Sequence, residues 1–313
     1  MGDQSTLRQR HVDPSTPAPP APSTKPTIQS ALLSWDAIDH WRRDNHYITT
    51  GYRIDKPSYH HTFLSLTHLH NESVNIWSHL LGAVIAVLSS TYLYTQIKPR
   101  YESANQQDVI AFGCFFTGAF LCLGMSATFH ALLSHSQDHA KWGNKLDYTG
   151  IVLLIVGSYV PALYYGFFCE PLLMRFYLGL IFTLGTGCAL VSWVDRFRTS
   201  AWRPYRAAMF IALGLSGIIP VAHGVTIFGY SGLEDRMSIS LVILHGATYI
   251  FGAVLYASRF PERIGPAGRF DIWGSSHQIF HLCVLLAAGT HLYGMGKAFD
   301  YHHTGLGSMC VLD

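Results

Sequence analysis

The chain has 313 residues, of which 49% are hydrophobic and only 13% are charged. Because a soluble globular domain has about 25% charged residues, this composition excludes an ordinary soluble protein and indicates a membrane protein with several spans. The formal net charge of +2 gives little information about partners, and we expect no nucleic-acid partner. The 18 histidines are unusually many and favour metal chemistry.

The N-terminal part has two sections that precede any membrane-spanning pattern. Residues 1–30 are rich in Pro, Ser and Thr, and they predict a disordered cytosolic tail without a signal peptide. Residues 31–70 predict interfacial helices on the cytosolic side. In 31–43 the apolar residues recur at helical spacing, which is typical of a helix that lies on a membrane surface, and 63–69 predicts a second short helix.

Seven apolar stretches follow, each close to the ~20 residues that an α-helix needs to cross a bilayer. They predict an all-α membrane protein with seven transmembrane helices in a domain at 71–297, followed by a tail at 298–313. The predicted spans are residues 75–97, 108–133, 147–168, 172–194, 204–226, 237–258 and 275–297.

The distribution of Lys and Arg predicts the orientation of these spans. Positive residues are concentrated before the first span and in the loops after the second, fourth and sixth spans, whereas the other loops contain few. By the positive-inside rule, the N-terminus is therefore cytosolic, and the C-terminus with the tail at 298–313 lies outside. This orientation is the reverse of that in G-protein-coupled receptors.

The six cysteines contain no C-x-x-C pair, so the sequence has neither a zinc-knuckle pattern nor a disulfide framework. Four of them lie inside the predicted spans, where we expect them to pack as small apolar residues. Cys169 and Cys310 lie outside the spans and could pair with each other.

Two segments that end in histidine predict a metal site. His277 and His281 are four residues apart, so they share one face of a helix near the cytosolic start of the seventh span. The predicted orientation also puts His130 at the cytosolic end of the second span. Three histidines from distant segments therefore lie at one depth, where three neutral imidazoles and a water suit the tetrahedral preference of Zn²⁺.

Two more polar residues lie at the same predicted depth. Ser126 is one helical turn before His130, and Asp147 begins the third span on the cytosolic side. Asp147 could accept a hydrogen bond from a water molecule at the metal and act as a general base. Alternatively, it is a structural residue, either a helix cap or a neighbour of the metal ligands. The remaining intramembrane histidines are interpreted as hydrogen-bonded packing residues: His223, His245 and His291.

Three motifs resemble those of a known family. Residues 71–82 (NESVNIWSHLLG) resemble the entry motif of the progestin and adipoQ receptor family. The S-x-x-x-H segment ending at His130, together with residues 145–150 (KLDYTG), resembles its second motif, and residues 268–281 (GRFDIWGSSHQIFH) resemble its third. The resemblance covers roughly residues 70–297, and it is strongest to the adiponectin-receptor and fungal zinc-homeostasis branch, which is related to the hemolysin III proteins.

This resemblance implies a seven-helix receptor fold with a cytosolic N-terminus. It also implies a zinc ion held by His130, His277 and His281, with Ser126 and Asp147 in the surroundings of the metal. Some members of the family are credited with hydrolysis of ceramide, which makes a zinc-dependent amide hydrolase one expectation for this chain.

The first motif contains Glu72, Asn75 and His79, three polar residues at the start of the first span. The sequence offers no chemistry for them. We interpret them as structural residues at the entrance of the helix.

Three functions are compatible with a polytopic membrane protein, and two of them fit this pattern. The first is an enzyme that hydrolyses the amide of a ceramide-like membrane lipid and releases a fatty acid. The second is a non-enzymatic receptor with structural zinc, in which an extracellular ligand shifts the helices. A pore is disfavoured because the spans lack repeated ionisable residues along a path. We expect a role in lipid signalling or zinc homeostasis, in the plasma membrane or an endomembrane.

Overall fold

The computed structural model describes residues 32–304 and Cys310, so the predicted tail at 1–30 lies outside the described residues. All regular elements of the described part are helical, and an isolated antiparallel bridge joins Leu33 to Tyr52. The α-helices are α1 (Tyr59–Ser65), α2 (Ser73–Arg100), α3 (Gln106–Leu132), α4 (Gln137–Gly166), α5 (Pro171–Ser192), α6 (Arg203–Leu215), α7 (Ile218–Met237), α8 (Ile239–Ser258) and α9 (Ser276–His303).

Seven segments of the described chain are long and apolar enough to cross a membrane. Six of them are formed by α2, α3, α4, α5, α8 and α9, and the remaining one, Ser200–Met237, contains α6 and α7. The predicted all-α, seven-helix fold is therefore confirmed, and the chain is an integral, multi-pass membrane protein.

The third span begins earlier than the apolar pattern predicts. Helix α4 begins at Gln137, where the Ser136 side chain accepts a hydrogen bond from the His139 backbone N–H, whereas the prediction began at residue 147. The added turns are polar, so a search for apolar residues does not detect them. They extend α4 beyond the apolar region and place Asp147 well inside the helix.

The fifth span is interrupted, which the sequence interpretation of one continuous helix at 204–226 did not foresee. Helix α6 ends at Leu215 and α7 begins at Ile218. At the break the Gly214 carbonyl accepts a long backbone hydrogen bond of 3.3 Å from Gly217, and the Tyr159 hydroxyl donates to the same oxygen at 2.6 Å. In a bilayer the carbonyls at such a break need internal donors, and Tyr159 provides one from α4.

The N-terminal segment folds over the end of the bundle at which α3 ends and α9 begins. It contains two single-turn 3₁₀ helices, Trp35–Ala37 and His40–Arg42, before α1. Thr49 and Thr50 donate hydrogen bonds to the Asp271 carboxylate, at 2.9 and 2.6 Å from their hydroxyls. We call residues 32–70 the cap.

Cys169 and Cys310 form a disulfide, so the pairing that the sequence left open is present in the structure. Cys169 follows the C-terminal end of α4, and this end is opposite the one that carries the cap. Disulfides persist in oxidising compartments, so their presence here favours an outside location for this end of the bundle.

Helices α3 and α4 approach each other closely at Gly150. A Cβ atom at this position would lie 2.8 Å from the Cys122 Cα. We therefore expect Gly150→Ala to separate α3 from α4 and to lower the free energy of unfolding by about 1–3 kcal/mol, measured by thermal unfolding in detergent. Gly124→Ala on α3 is the matched control, because a Cβ there would meet nothing within 4 Å. Equal stability of the two variants would contradict this packing.

The orientation is testable with terminal tags. In sealed vesicles with the cytosolic face outward, protease should remove a tag placed before Met1 and leave a tag after Asp313 intact, because the positive loops stay cytosolic. Detergent is the control, since it should expose both tags. Digestion of both tags in sealed vesicles would refute the predicted orientation.

Candidate metal centre

The structure brings the three predicted histidines together at the capped end of the bundle. His130 lies in the last turn of α3, and His277 and His281 lie in the first turns of α9. His277 Nε2 is 3.1 Å from His130 Nε2, and one ring nitrogen of each histidine lies within 4.8 Å of the others. His130 and His281 are only 3% and 2% exposed. We call these three residues the histidine group.

Glu72 makes the most informative contact with the histidine group. Its Oε2 atom lies 2.7 Å from His130 Nδ1, and the Asn75 side-chain amide donates to the same oxygen at 2.7 Å. Burial disfavours the Glu72 charge, but the contacts with His130 and Asn75 outweigh it and lower the pKa of the carboxyl below its usual range. An ionised carboxylate only accepts hydrogen bonds, so Nδ1 of His130 carries the proton of this contact, and in the neutral ring Nε2 is the nitrogen that offers a lone pair.

The interpretation of Glu72 as only a structural residue missed this contact with His130. A carboxylate that orients a ligating imidazole is a common companion of metal sites. The available signal was position: Glu72 directly precedes α2, at the depth that the sequence assigned to His130.

Two further residues fix the ligands from other directions. His79 on α2 stacks on His281, with ring centroids 3.7 Å apart and an interplanar angle of 15°. Arg53 of the cap donates to the backbone carbonyls of His130 and Ala131, at 2.6 and 3.0 Å. These carbonyls belong to the last residues of α3, which have no partners within the helix, so Arg53 holds the end of the helix that carries His130.

Asp147 and Ser126 lie beside the histidine group, as the sequence predicted from their depth. Both side chains are buried, and the Ser126 hydroxyl lies near the Asp147 carboxylate. Both line the same cavity as His277 and His281. Among the described residues, Asp147 is not part of the closely spaced group of ligand atoms, although it lines the cavity beside them.

Two cavities of different character meet at this place. An apolar cavity of about 180 Å³ runs between α4, α6, α8 and α9, and its walls are mostly aliphatic and aromatic. A polar cavity of about 480 Å³ lies under the cap and is lined by charged and amide side chains such as Lys141, Asn144 and Arg198. Asp147 and His277 line both cavities, so the histidine group lies where they join.

The donor set fits a zinc ion. Two ligands at ~2.1 Å from a tetrahedral zinc are about 3.4 Å apart, close to the 3.1 Å between the Nε2 atoms of His130 and His277. Three imidazoles leave one coordination position for a small molecule, which is typical of catalytic zinc sites. The geometry therefore suits a metal ion, with zinc as the best chemical match.

The other intramembrane histidines divide into two kinds. His223 bonds to the Tyr177 hydroxyl at 2.7 Å, as expected for a packing residue. For His245 and His291 the expectation of hydrogen bonding is wrong. Within the described part of the chain, Nδ1 of His245 and both ring nitrogens of His291 are buried without a hydrogen-bond partner.

Comparison with known proteins gives consistent matches. A sequence profile of the family described as haemolysin-III related matches residues 67–292. The ADIPOR-like receptor IZH2 of Saccharomyces cerevisiae is 41% identical over 297 residues, which cover 95% of this chain and 93% of that protein.

Two animal proteins match a shorter part of their own length. The adiponectin receptor protein of Drosophila melanogaster is 44% identical over 264 residues, covering 84% of this chain and 59% of that protein. Progestin and adipoQ receptor-like protein 1 of Caenorhabditis elegans is 41% identical over 266 residues, covering 85% and 60%. The chain thus spans only about three fifths of these two relatives.

Zinc content should follow the geometry of the site. We expect His277→Ala/His281→Ala to lose zinc, because two of three protein ligands are removed. Glu72→Gln should keep the ligands but weaken zinc affinity about 10–100-fold, because the His130 ring loses its orienting carboxylate. Metal content by mass spectrometry and competition with a chelator measure both effects.

His223→Ala is the matched control, because it removes an intramembrane histidine whose side chain hydrogen-bonds to Tyr177 and is not part of the histidine group. Full zinc occupancy in the double variant would refute the assignment of the ligands. Unchanged affinity in Glu72→Gln would refute the role given to its carboxylate.

Proposed function

The chain belongs to the haemolysin-III related family, and from this we propose that it is a receptor-type membrane protein. In this proposal the histidine group holds zinc, and the protein hydrolyses the amide bond of a ceramide-like lipid. One observation carries the proposal: the histidine group and a buried carboxylate lie together where an apolar and a polar cavity meet. An amphiphile would place its reacting bond at such a junction.

Bound zinc would polarise the amide carbonyl and acidify a water molecule. His130, His277 and His281 would hold the ion, and Glu72 keeps His130 in the tautomer that binds it. The apolar cavity provides room for the acyl chain, and the polar cavity gives water and the polar part of the lipid a route from the capped side.

Asp147 is the residue of this chain that can move a proton in the reaction. Its carboxylate would take a proton from the attacking water, and the neighbouring Ser126 hydroxyl would orient the carboxylate. Water adds to the amide carbon, the C–N bond breaks, and the proton held by Asp147 passes to the leaving nitrogen. The products are a fatty acid and an amine, so atoms and charge balance.

A buried guanidinium group lies at this junction, and it supports a reaction that releases an acidic product there. Arg206 lines both cavities, lies over the Tyr148 ring with its Cζ 5.2 Å from the centroid, and donates to the backbone carbonyls of Phe197 and Thr199. The positive charge of Arg206 would attract the carboxylate that hydrolysis releases.

The second candidate is a receptor with structural zinc. It is favoured by the position of the ligands, which join the end of α3 to the start of α9. In this case zinc would fix the arrangement of helices, an extracellular ligand would act on the opposite end, and no lipid would be cleaved. The names of the relatives describe receptors, and this agrees with either candidate.

The two candidates differ in what Asp147→Asn does. For an enzyme we expect this variant to keep zinc and to release fatty acid from a defined ceramide 10²–10⁴-fold more slowly, because it lacks a general base. Asp138→Asn is the matched control, since this carboxylate is exposed at the start of the same helix. Zinc content is measured on the same preparations.

Two outcomes would count against the enzyme. The first is a zinc-replete wild-type protein that releases no fatty acid from any ceramide. The second is an Asp147→Asn variant as active as Asp138→Asn. The first outcome would support the receptor with structural zinc, and the second would remove Asp147 from the chemistry.

A further inference from the structure

The apolar cavity has a second polar region at the end far from the histidine group, where Ser158, His245 and Tyr249 line it. The rise per residue of an α-helix gives the distance between this polar region and the histidine group. On α8, Tyr256 lies beside His277, with ring centroids 5.1 Å apart, and His245 is about 16 Å further along the helix. Along α4, Ser158 is also about 16 Å from Asp147. Two helices therefore give the same distance.

The polar groups of this region pack against one another. The His245 ring lies edge-on to the rings of His291 and Tyr249, with centroids 4.8 and 5.9 Å apart. His291 on α9 is only 2% exposed, and Phe115 packs on it at 5.0 Å. We call Ser158, His245, Tyr249 and His291 the distal cluster.

The distal cluster is rich in hydrogen-bonding atoms that the protein itself does not use. The Tyr249 hydroxyl, Nδ1 of His245 and both ring nitrogens of His291 are buried without a hydrogen-bond partner among residues 32–304 and Cys310. Backbone carbonyls of Leu241 and Ser158 lie near the two histidine rings, but outside hydrogen-bonding geometry. Each buried polar atom without a partner costs about 1–3 kcal/mol. Four of them in one place indicate a site for a polar group.

The side chains of the distal cluster favour a neutral polar group as their ligand. Tyrosine and neutral histidine each offer one donor and one acceptor, which matches a hydroxyl. Asp147 and Arg206, the Asp and Arg side chains that line the apolar cavity, lie at its other end, where it joins the polar cavity. An ionised group in the distal cluster would therefore have no opposite charge to pair with, and its burial would be costly.

We propose that the distal cluster binds a hydroxyl group on the acyl chain of a lipid whose polar end lies at the histidine group. A separation of about 16 Å corresponds to roughly twelve bonds of an extended alkyl chain. The preferred ligand class is therefore a long-chain acyl group hydroxylated near its twelfth carbon. The inference rests on the proposed function only for the placement of the polar end, and it does not require hydrolysis.

The test compares the binding of 12-hydroxystearate and stearate to the purified, zinc-loaded protein in lipid nanodiscs. We expect the wild-type protein to bind 12-hydroxystearate about threefold to tenfold more tightly, the effect of one net hydrogen bond. Tyr249→Phe and His245→Leu should remove this preference and leave stearate affinity unchanged. Retained stearate affinity also shows that the variants are folded.

Two controls locate the effect. His223→Leu, which alters a histidine outside the cavity, should keep the preference. The isomer 2-hydroxystearate, with its hydroxyl next to the carboxylate, should bind equally well to wild-type protein and to Tyr249→Phe. Equal affinity of wild-type protein for stearate and 12-hydroxystearate would overturn the proposal, as would a preference that survives both distal variants. A preserved preference without any ceramide hydrolysis would reject the proposed enzyme but not the distal site.

Discussion

Three imidazole rings packed into a low-dielectric interior impose the constraint on which the remaining structure depends. Nitrogens only 3.1 Å apart, as in His130 and His277, cannot both carry a proton towards each other, and burial disfavours a positive charge on these rings. Glu72 resolves this conflict at His130 by fixing the proton on Nδ1, and His79 restrains the His281 ring by stacking. These contacts fix the orientation of the His130 and His281 rings.

Hydrogen bonds from the cap hold the parts of the bundle that carry the three histidines. Arg53 holds the end of α3, and the bonds from Thr49 and Thr50 to Asp271 hold the loop before α9. Because the cap carries polar side chains, the space beneath it is polar, whereas the space between the spans is apolar. The two cavities share His277 as a lining residue, and their different character suits a molecule that is itself amphiphilic.

The feature that the sequence predicted correctly, the set of seven spans, can be recognised from local apolar runs. Because successive spans alternate in direction, the end of the second span and the start of the seventh lie on the same side, where the structure brings His130, His277 and His281 together. The contact of Glu72 could not be predicted, because it depends on the direction of a side chain at a helix entrance. The break after α6 depends on a donor, Tyr159, that is distant in sequence. Hydrophobic periodicity contains none of this information.

Receptor and enzyme need not exclude each other in this architecture, because α3 and α9 are connected at both ends. At the capped end they meet in the histidine group. At the opposite end, His303 Nε2 lies 3.2 Å from the Asp108 carboxylate, which also accepts a hydrogen bond of 2.9 Å from Tyr165. A ligand that shifts α9 relative to α3 at this end would change the spacing of His130 and His277 at the other. On the proposed function, such a shift would alter hydrolysis directly, so released fatty acid would be the signal.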